Sequence, residues 1–248
     1  MPIELRDLRA KFNINKCDKT KIIALAGNPN TGKSTVFNAL TGLRQHTGNW
    51  PGKTVLQSTG QFSIRNKEYL LVDLPGIYSL SPHSLDELVA RDFICFAKPD
   101  VTVIVMDASS LARNLKLALQ IMEITSSVII CLNLIDEAKR KKIKIDVRRL
   151  SEELGVPVIP TIARTGKGIK ELKNELYKIA DEERVLKPYL VNYDADIEAQ
   201  INSIIKKIDV NLVTSLINPR WLALKSLDND LSIKEGIKYY LNIDSGVY

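Results

Sequence analysis

The chain has 248 residues, of which 45% are hydrophobic and 26% charged, a composition typical of a globular protein with one or two domains. The formal net charge is +6, but the basic residues are dispersed apart from residues 139–142 (KRKK), which we interpret as a solvated helix end rather than a binding patch. The odd number of cysteines argues against a disulfide framework. No signal peptide is visible, and no apolar run approaches the ~20 residues needed to span a membrane. We therefore expect a soluble intracellular chain without a nucleic-acid partner.

The first clear pattern in the chain is a phosphate-binding motif. Residues 1–20 form an N-terminal extension with a short helix around residues 5–12, and the apolar residues 22–26 (IIALA) then predict a strand. Residues 27–34 (GNPNTGKS) match the pattern GxxxxGK[ST], and residues 34–40 are compatible with a helix. This strand–loop–helix context favours a phosphate loop over a chance glycine-rich turn.

The spacing within the phosphate loop suits a nucleoside triphosphate. Glycines let backbone N–H groups face a polyphosphate, and the N-terminus of the following helix favours anions. We expect Lys33 to reach the β- and γ-phosphates and the Ser34 hydroxyl to bind Mg²⁺. The predicted nucleotide-binding residues of this segment are Gly27, Asn28, Pro29, Asn30, Thr31, Gly32, Lys33, Ser34 and Thr35.

A doubly wound α/β domain follows from the alternation of strands and helices. Residues 42–54 are too irregular to form an element and are long enough to be a functional loop. The predicted elements after this loop are strands at 55–62 and 67–73, a helix at 85–97 that begins with a capping box at Ser84, a strand at 101–106, a helix at 111–123, a strand at 128–132, a helix from Asp146 to Gly155, a strand at 156–159 and a helix at 168–180. This order predicts a mostly parallel, doubly wound sheet, with the ligand at the carboxyl ends of its strands. Together with the phosphate loop and the base motif described below, it leads us to expect a P-loop GTPase (Ras-like) domain.

The last part of the chain lacks strand patterns. Residues 196–208 carry isoleucines at helical spacing, Pro219 is placed at a helix start, and residues 232–235 (SIKE) form another capping box. We therefore divide the chain into an extension at 1–20, a nucleotide-binding domain at 21–180 and a small all-helical domain at 181–248.

Two further motifs supply oxygen ligands for Mg²⁺ and a contact for the γ-phosphate. Residues 73–76 (DLPG) place the carboxylate of Asp73 at a strand end, where it can hold Mg²⁺, and offer the N–H of Gly76 to the γ-phosphate. Thr54 is the natural second hydroxyl ligand. Gly52, in the same loop as Thr54, completes the predicted nucleotide-binding set around the phosphates.

Residues 133–136 (NLID) predict a guanine site through Asn133 and Asp136. The carboxylate of Asp136 can accept from both N1–H and N2–H₂ of guanine, whereas adenine has no such donor pair. Mis-binding adenine would leave a desolvated carboxylate unpaired, so guanine is preferred. Ala163, after the last strand, can offer its N–H to guanine O6.

One position departs from the common hydrolytic machinery. Ile77 follows the glycine of the DLPG motif, where Ras-like GTPases carry a glutamine that positions water. An aliphatic side chain cannot orient the attacking water. Asn30, whose amide oxygen could hold a monovalent cation against the phosphates, is the candidate for supplying charge. The candidate catalytic residues are Asn30, Lys33 and Thr54.

The chain resembles the N-terminal cytosolic part of the ferrous iron transport protein B family. The resemblance rests on GNPNTGKSTVFNALTG, GNWPGKTV, DLPGIYSLSP, VARD and RNL, and it covers the chain from about residue 21 onward. It implies that K⁺ activates GTP hydrolysis through Asn30 with carbonyls near Gly48 and Trp50. It also implies that the all-helical domain at 181–248, the tail, stabilises the GDP-bound state. A membrane-embedded iron permease domain should follow in the whole protein, and this part should lie at the cytoplasmic face of the membrane. Small cytosolic accessory proteins are the other expected partners.

Two positions differ from most GTPases, and two other functions stay open. Leu134 stands where a lysine is usual, and Ile162 replaces the serine of a Ser-Ala pair. One alternative function is a soluble potassium-dependent GTPase of ribosome or RNA maturation, which should carry an RNA-binding domain that residues 181–248 lack. The other is a nucleotide-gated module without hydrolysis, which would need a damaged phosphate site.

Overall fold

A seven-stranded sheet in the order β2-β3-β4-β1-β5-β6-β7 forms the centre of the molecule. The computed structural model describes residues 4–14, 20–43, 45–81, 83–208 and 217–242, so that Cys17 and Pro82 lie outside the described residues. The strands are β1 (Lys21–Gly27), β2 (Gln45–Asn49), β3 (Leu56–Ile64), β4 (Lys67–Asp73), β5 (Val101–Asp107), β6 (Val128–Asn133) and β7 (Val158–Pro160). β3 runs antiparallel to β2 and β4, and the other neighbours are parallel.

The sheet is covered on both faces, which explains why its central strands are apolar along their whole length. Every residue of β6 is buried, as is every residue of β1 after Lys21. The helices are α1 (Leu5–Ala10), α2 (Lys33–Thr41), α3 (Leu85–Asp92), α4 (Leu111–Ile124), α5 (Ile135–Arg140), α6 (Val147–Leu154), α7 (Ile169–Ala180), α8 (Ala195–Ile205), α9 (Pro219–Leu227) and α10 (Leu231–Leu241). α2 and α7 pack together over the sheet, and α4 packs against β1 and β5. The predicted α/β class is confirmed.

Local capping residues set most helix ends where the sequence predicted them. Ser84 accepts from the N–H of Glu87, and Asp146 accepts from the N–H of Arg149. Gly155 ends α6 in the left-handed conformation. The predicted capping box at residues 232–235 is wrong, because Asp230 is the N-cap and accepts from the N–H of Ser232.

Two elements differ from the sequence expectation. Residues 45–49 form strand β2, although no side-chain alternation indicates a strand and all five residues are exposed. Backbone pairing with β3 defines this edge strand, from Gln45 opposite Gly60 to Asn49 opposite Leu56. The predicted helix at 85–97 changes to a π-helical turn at Phe93–Ala97, whose residues are all buried.

The helical tail packs onto the sheet domain rather than apart from it. α9 lies against α4 and against α8. α10 approaches the π-helical turn so closely that a Cβ at Gly236 would lie 3.1 Å from the ring of Phe96. Among the described residues, no helix has the length and apolar character required to cross a membrane.

Candidate nucleotide-binding site

The phosphate loop turns tightly between β1 and α2. Asn30 and Gly32 adopt left-handed backbone conformations, with φ of 64° and 81°. A Cβ at Gly32 would lie 2.4 Å from Nδ2 of Asn133, and one at Gly27 would lie 2.5 Å from the carbonyl oxygen of Val105. Larger residues at either glycine would therefore collide with the loop's surroundings, so the sequence motif is required by the geometry.

Side chains inside the phosphate loop stabilise its shape. The hydroxyl of Thr31 donates to the carbonyl oxygen of Asn28 over 2.9 Å. Asn28 and Thr31 are buried, whereas Asn30, Ser34 and Thr35 are exposed, and Pro29 is half-buried. Ser34 and Thr35 belong to the first turn of α2, where free N–H groups and the helix dipole favour an anion.

Lys33 and Asp73 form an ion pair at the carboxyl end of β4. The Lys33 ammonium donates to Oδ1 of Asp73 and, over 2.7 Å, to the carbonyl oxygen of Leu74. Burial raises the pKa of Asp73, and the ammonium of Lys33 acts in the opposite direction. The two predicted phosphate and metal ligands thus lie side by side and satisfy one another in this arrangement.

The chemistry of the donors fits a magnesium ion. The Ser34 hydroxyl and the Asp73 carboxylate are oxygen ligands, which Mg²⁺ prefers. Thr54 is exposed and makes no hydrogen bond or ion pair in the described part of the chain, so its hydroxyl is free for a ligand. Its place as the third ligand beside Ser34 and Asp73 stays a prediction.

Asn133 ties the end of β6 to the phosphate loop. Its Nδ2 donates to the carbonyl oxygen of Thr31 over 3.0 Å, and the side chain is buried. Its Oδ1 accepts from the hydroxyl of Thr161 at 3.2 Å and from the N–H of Ala163 at 3.0 Å. Asn133 therefore has a structural role between two loops. Because the N–H of Ala163 already has an acceptor, its contact with guanine O6 stays a prediction.

Thr161 is a site residue that sequence analysis missed. It is buried, it contacts Asn133 through its hydroxyl, and the same hydroxyl lies 3.2 Å from Sγ of Cys131. No motif marks a threonine after a short strand. The only available signal is its position two residues before Ala163.

Asp136 retains acceptor capacity in the first turn of α5. Leu134 adopts a left-handed conformation with φ of 61°, which starts α5 and sets Asp136 in its first turn. Oδ2 of Asp136 accepts from Arg164 at 3.3 Å, while Oδ1 is buried and has no hydrogen-bond partner among the described residues. A desolvated carboxylate oxygen without a donor fits the N1–H and N2–H₂ group of guanine.

The predicted switch residues lie at the outer edge of the sheet in this structure. Gly48 belongs to β2 and pairs with Gln57. The carbonyl oxygen of Trp50 accepts from the N–H of Lys53 at 3.0 Å, and Gly52 turns with φ of 65°. The carbonyl oxygen of Trp50 thus already has a donor, and the expected potassium site of Asn30, Gly48 and Trp50 stays a prediction.

Ile77 and Gly76 follow β4 beside the phosphate loop. The side chain of Ile77 is buried, and its N–H donates to the carbonyl oxygen of Gly27 at 3.3 Å. Gly76 is exposed, and a Cβ there would lie 3.4 Å from Pro29. Ile77 thus packs in the core, which agrees with the inference that it does not position water.

The mostly parallel sheet, the phosphate loop at the end of β1, Asp73 at the end of β4 and the segment from Asn133 to Asp136 after β6 define a P-loop GTPase domain, followed here by a helical domain. Family models match residues 21–176 as "Ferrous iron transport protein B" and residues 193–245 as "FeoB cytosolic helical domain". The chain belongs to the ferrous iron transport protein B family.

Relatives and a solved structure agree with this assignment. The chain is 42% identical over 217 residues to the Fe(2+) transporter FeoB of Shigella flexneri, covering 86% of this chain and 27% of the transporter. It is 38% identical over 211 residues to an Fe(2+) transport protein A/Fe(2+) transporter FeoB fusion protein of Porphyromonas gingivalis, covering 84% of this chain and 25% of that protein. The cytosolic domain of the T. maritima FeoB iron transporter in a GDP form superimposes with a TM-score of 0.80 at 38% identity, covering 88% of this chain and 85% of that one. The chain thus spans about a quarter of the length of these transporters.

Proposed function

We propose that this chain binds GTP and hydrolyses it slowly, with Mg²⁺ and with stimulation by K⁺, and that its two nucleotide states regulate Fe²⁺ uptake by a membrane domain. The observation that carries the guanine assignment is the buried Oδ1 of Asp136, which has no hydrogen-bond partner among the described residues and lies three residues after the Asn133 that bonds the phosphate loop. The relatives' name and the share of their length that this chain covers support a membrane permease domain in the same protein.

The mechanism begins with an exchange of partners at Lys33. Bound phosphates would draw the Lys33 ammonium from Asp73 and Leu74, so that Asp73 becomes free to hold Mg²⁺ together with the Ser34 hydroxyl. Mg²⁺, when bound, neutralises charge that develops on the phosphates. Thr54 completes this set of ligands only after residues 50–55, the switch turn, move toward the phosphate loop.

Asn30 would supply charge stabilisation at the phosphates, since Ile77 cannot position the attacking water. Its side chain is exposed on the phosphate loop, where its amide oxygen can hold a K⁺ ion against the phosphates. The Trp50 carbonyl, which now accepts from Lys53, would join the cation only when the switch turn moves, and Gly48 would have to move from its place in β2. The cation response therefore depends on the same movement as the Thr54 contact.

Cytosolic accessory proteins of iron transport are proposed as further partners. The support is a relative in which an Fe(2+) transport protein A is fused to the transporter. We propose the cytoplasmic face of the cell membrane as the location of this part in the whole protein.

Titration with fluorescent GDP and ADP tests the base assignment. We expect binding of GDP to be tighter by about 10- to 100-fold, because hydrogen bonds to the Asp136 carboxylate are charge-assisted. Asp136→Ala should remove the difference, whereas Asp196→Ala, at an exposed carboxylate of α8, should leave it intact. Comparable affinities of the wild-type chain for both nucleotides would exclude a guanine site.

Steady-state GTP turnover in K⁺ and Na⁺ buffers tests the cation assignment. We expect faster turnover in K⁺, and loss of that difference in Asn30→Ala because the amide oxygen is removed. Asn202→Ala, at an exposed position of α8, is the matched control. A full K⁺ response in Asn30→Ala would show that the cation binds elsewhere.

A further inference from the structure

A cluster of aromatic rings connects the N-terminal helix, the switch turn and the last helix. The ring cluster consists of Phe12, Trp50, Phe93, Phe96 and Tyr240. Phe12 lies edge-on to Trp50 at a centroid distance of 6.4 Å and stacks on Tyr240 at 4.9 Å. Phe93 lies 5.4 Å from Phe12 and 5.3 Å from Trp50. Phe12 is thus the ring that contacts both the switch turn and the helical tail.

Polar contacts hold the chain around Phe12 against both neighbours. Nε2 of the buried Gln57, in β3, donates to the carbonyl oxygen of Phe12 over 3.1 Å. The ammonium of Lys11 donates to the carbonyl oxygens of Tyr239 and Tyr240 over 2.8 and 3.1 Å, at the C-terminal end of α10. A shift of Phe12 would therefore disturb its contacts with β3 or with the tail.

The N-terminal helix itself is anchored to the sheet domain. Arg9 of α1 donates to the carbonyl oxygens of Ala97 and Lys98 over 3.2 and 2.9 Å, and it pairs with Asp100 at 3.1 Å. These contacts fix α1 to the segment between the π-helical turn and β5. The position of Phe12 is therefore defined by groups outside the switch turn.

Trp50 and Thr54 belong to one closed turn. The N–H of Trp50 donates to the carbonyl oxygen of Val55 at 2.9 Å, and the N–H of Lys53 donates to that of Trp50 at 3.0 Å. The indole N–H of Trp50 donates to the carbonyl oxygen of Leu56 at 3.1 Å. Because these bonds close the turn around Thr54, a buried Trp50 restrains where Thr54 can go.

We propose that Phe12 is a positioning residue that holds Trp50 against the tail, and that this contact, the clasp, favours the arrangement described here over one in which Thr54 joins Ser34 and Asp73 as a ligand. The proposal rests on the proposed function, because it assumes that Thr54 moves to the phosphate loop with GTP. The N-terminal segment is then part of the switch rather than an extension. A cavity of about 310 Å³, lined by Trp50, Lys53 and Tyr240 among others, adjoins the rings and gives the indole room to move.

The clasp predicts the direction in which nucleotide preference changes when Phe12 is replaced. An edge-on or stacked aromatic pair contributes about 0.5–1.5 kcal/mol beyond its buried area. Losing the Phe12–Trp50 contact should therefore raise affinity for a non-hydrolysable GTP analogue relative to GDP by about two- to tenfold. If Phe12 were only structural, its replacement would instead lower the affinities for both nucleotides equally, or change neither.

The experiment uses the full chain with Trp221→Phe, which leaves Trp50 as the sole tryptophan. Phe12→Ala should shift Trp50 emission to longer wavelength and change the GTP-analogue to GDP affinity ratio, because the indole loses a buried neighbour. Phe12→Tyr, which keeps the ring, should restore both. Phe62→Ala is the matched control, since Phe62 is buried and stacks on Tyr69 without contacting the ring cluster.

A double-mutant cycle tests the connection with the tail. Phe12→Ala and Tyr240→Ala should each shift the emission, and the double variant should shift it by less than the sum, because the two rings stack on one another. Unchanged emission in Phe12→Ala, or a response equal to that of Phe62→Ala, would overturn the clasp. If the wild-type chain failed to bind guanine nucleotides, the proposed function would be overturned instead, and the emission data would still decide whether Phe12 positions Trp50.

Discussion

At the scale of single residues, the proposed base-binding motif contains a side chain, Asn133, whose polar atoms all bond to other parts of the protein. Asn133 uses its amide nitrogen for Thr31 and its oxygen for Thr161 and Ala163, so it joins the loop after β1 to the loop after β7. An asparagine suits this bracing because its side chain carries both a donor and an acceptor. The contact partners of Asp136 are fewer, which leaves it available for a ligand.

Thr161→Val tests this bracing. The substitution keeps the shape of the side chain but removes the hydroxyl that donates to Asn133, so Oδ1 of Asn133 loses one donor. We expect GDP affinity to fall by about three- to tenfold, the equivalent of one neutral hydrogen bond. Thr161→Ser, which keeps the hydroxyl, should bind like the wild type in the same titration. An unchanged affinity of Thr161→Val would show that Asn133 is held well enough by the N–H of Ala163.

At the scale of elements, charged side chains attach the tail to α4. Arg220 of α9 makes a bidentate contact with Glu198 of α8, at 2.7 Å for both bonds, and its Nε lies 3.7 Å from Glu123 of α4. The hydrogen bonds from Arg220 and from the N–H of Tyr193 lower the pKa of Glu198 to about 2. Burial raises the pKa of Glu123, against the N–H of Val191 and the charge of Arg220.

The lowered pKa of Glu198 predicts a stability difference that depends on pH. A carboxyl whose pKa falls from 4.5 unfolded to about 2 folded stabilises the fold above pH 4.5 and loses that contribution as the pH falls toward 2. Glu198→Gln should therefore unfold at lower urea concentration than the wild type at pH 7. This difference in the urea midpoint of unfolding, the gap, should narrow from pH 5 to pH 3. Tryptophan emission, with Trp221 in the same helix as Arg220, follows the transition. A gap that stayed constant with pH would show that Glu198 acts through packing and not through its charge.

The elements that the sequence predicted correctly are those defined by local patterns. Strand β6 reads as an unbroken apolar run, and Ser84 and Asp146 mark helix starts because their side chains bond to N–H groups within the same turn. Strand β2 was missed because only its pairing with β3 makes it a strand. The packing of Phe12 on Trp50 and Tyr240 was missed because those rings are distant in sequence, and no periodicity records a contact between them.

At the scale of the whole molecule, the switch turn lies between two segments that the sequence placed outside the nucleotide-binding domain. The register puts Ser58 of β3 opposite Asp73, so the turn that precedes β3 lies toward the carboxyl edge of the sheet, where the phosphate loop also lies. Trp50 in that turn is buried and contacts Phe12, which follows α1, and Phe93 of the π-helical turn, and Tyr240 of α10 stacks on Phe12. Movement of the turn would change the packing of Phe12 and, through it, of the tail, which would give the two proposed nucleotide states a physical route to distant parts of the molecule.

Displacing the tail should shift nucleotide preference toward GTP. If the docked tail favours the arrangement seen here, its free energy of docking is coupled to nucleotide state, and removing residues 181–248 should weaken GDP affinity more than that of a GTP analogue. Gly236→Leu tests the same coupling in the full chain, because even a Cβ at that position would approach Phe96 to 3.1 Å and a larger side chain must push α10 away. Ala195→Leu, at an exposed position of α8, is the matched control and should leave both affinities unchanged. Calorimetric titration of each variant measures the two affinities, and equal losses for both nucleotides would mean that the tail stabilises the fold without sensing the switch.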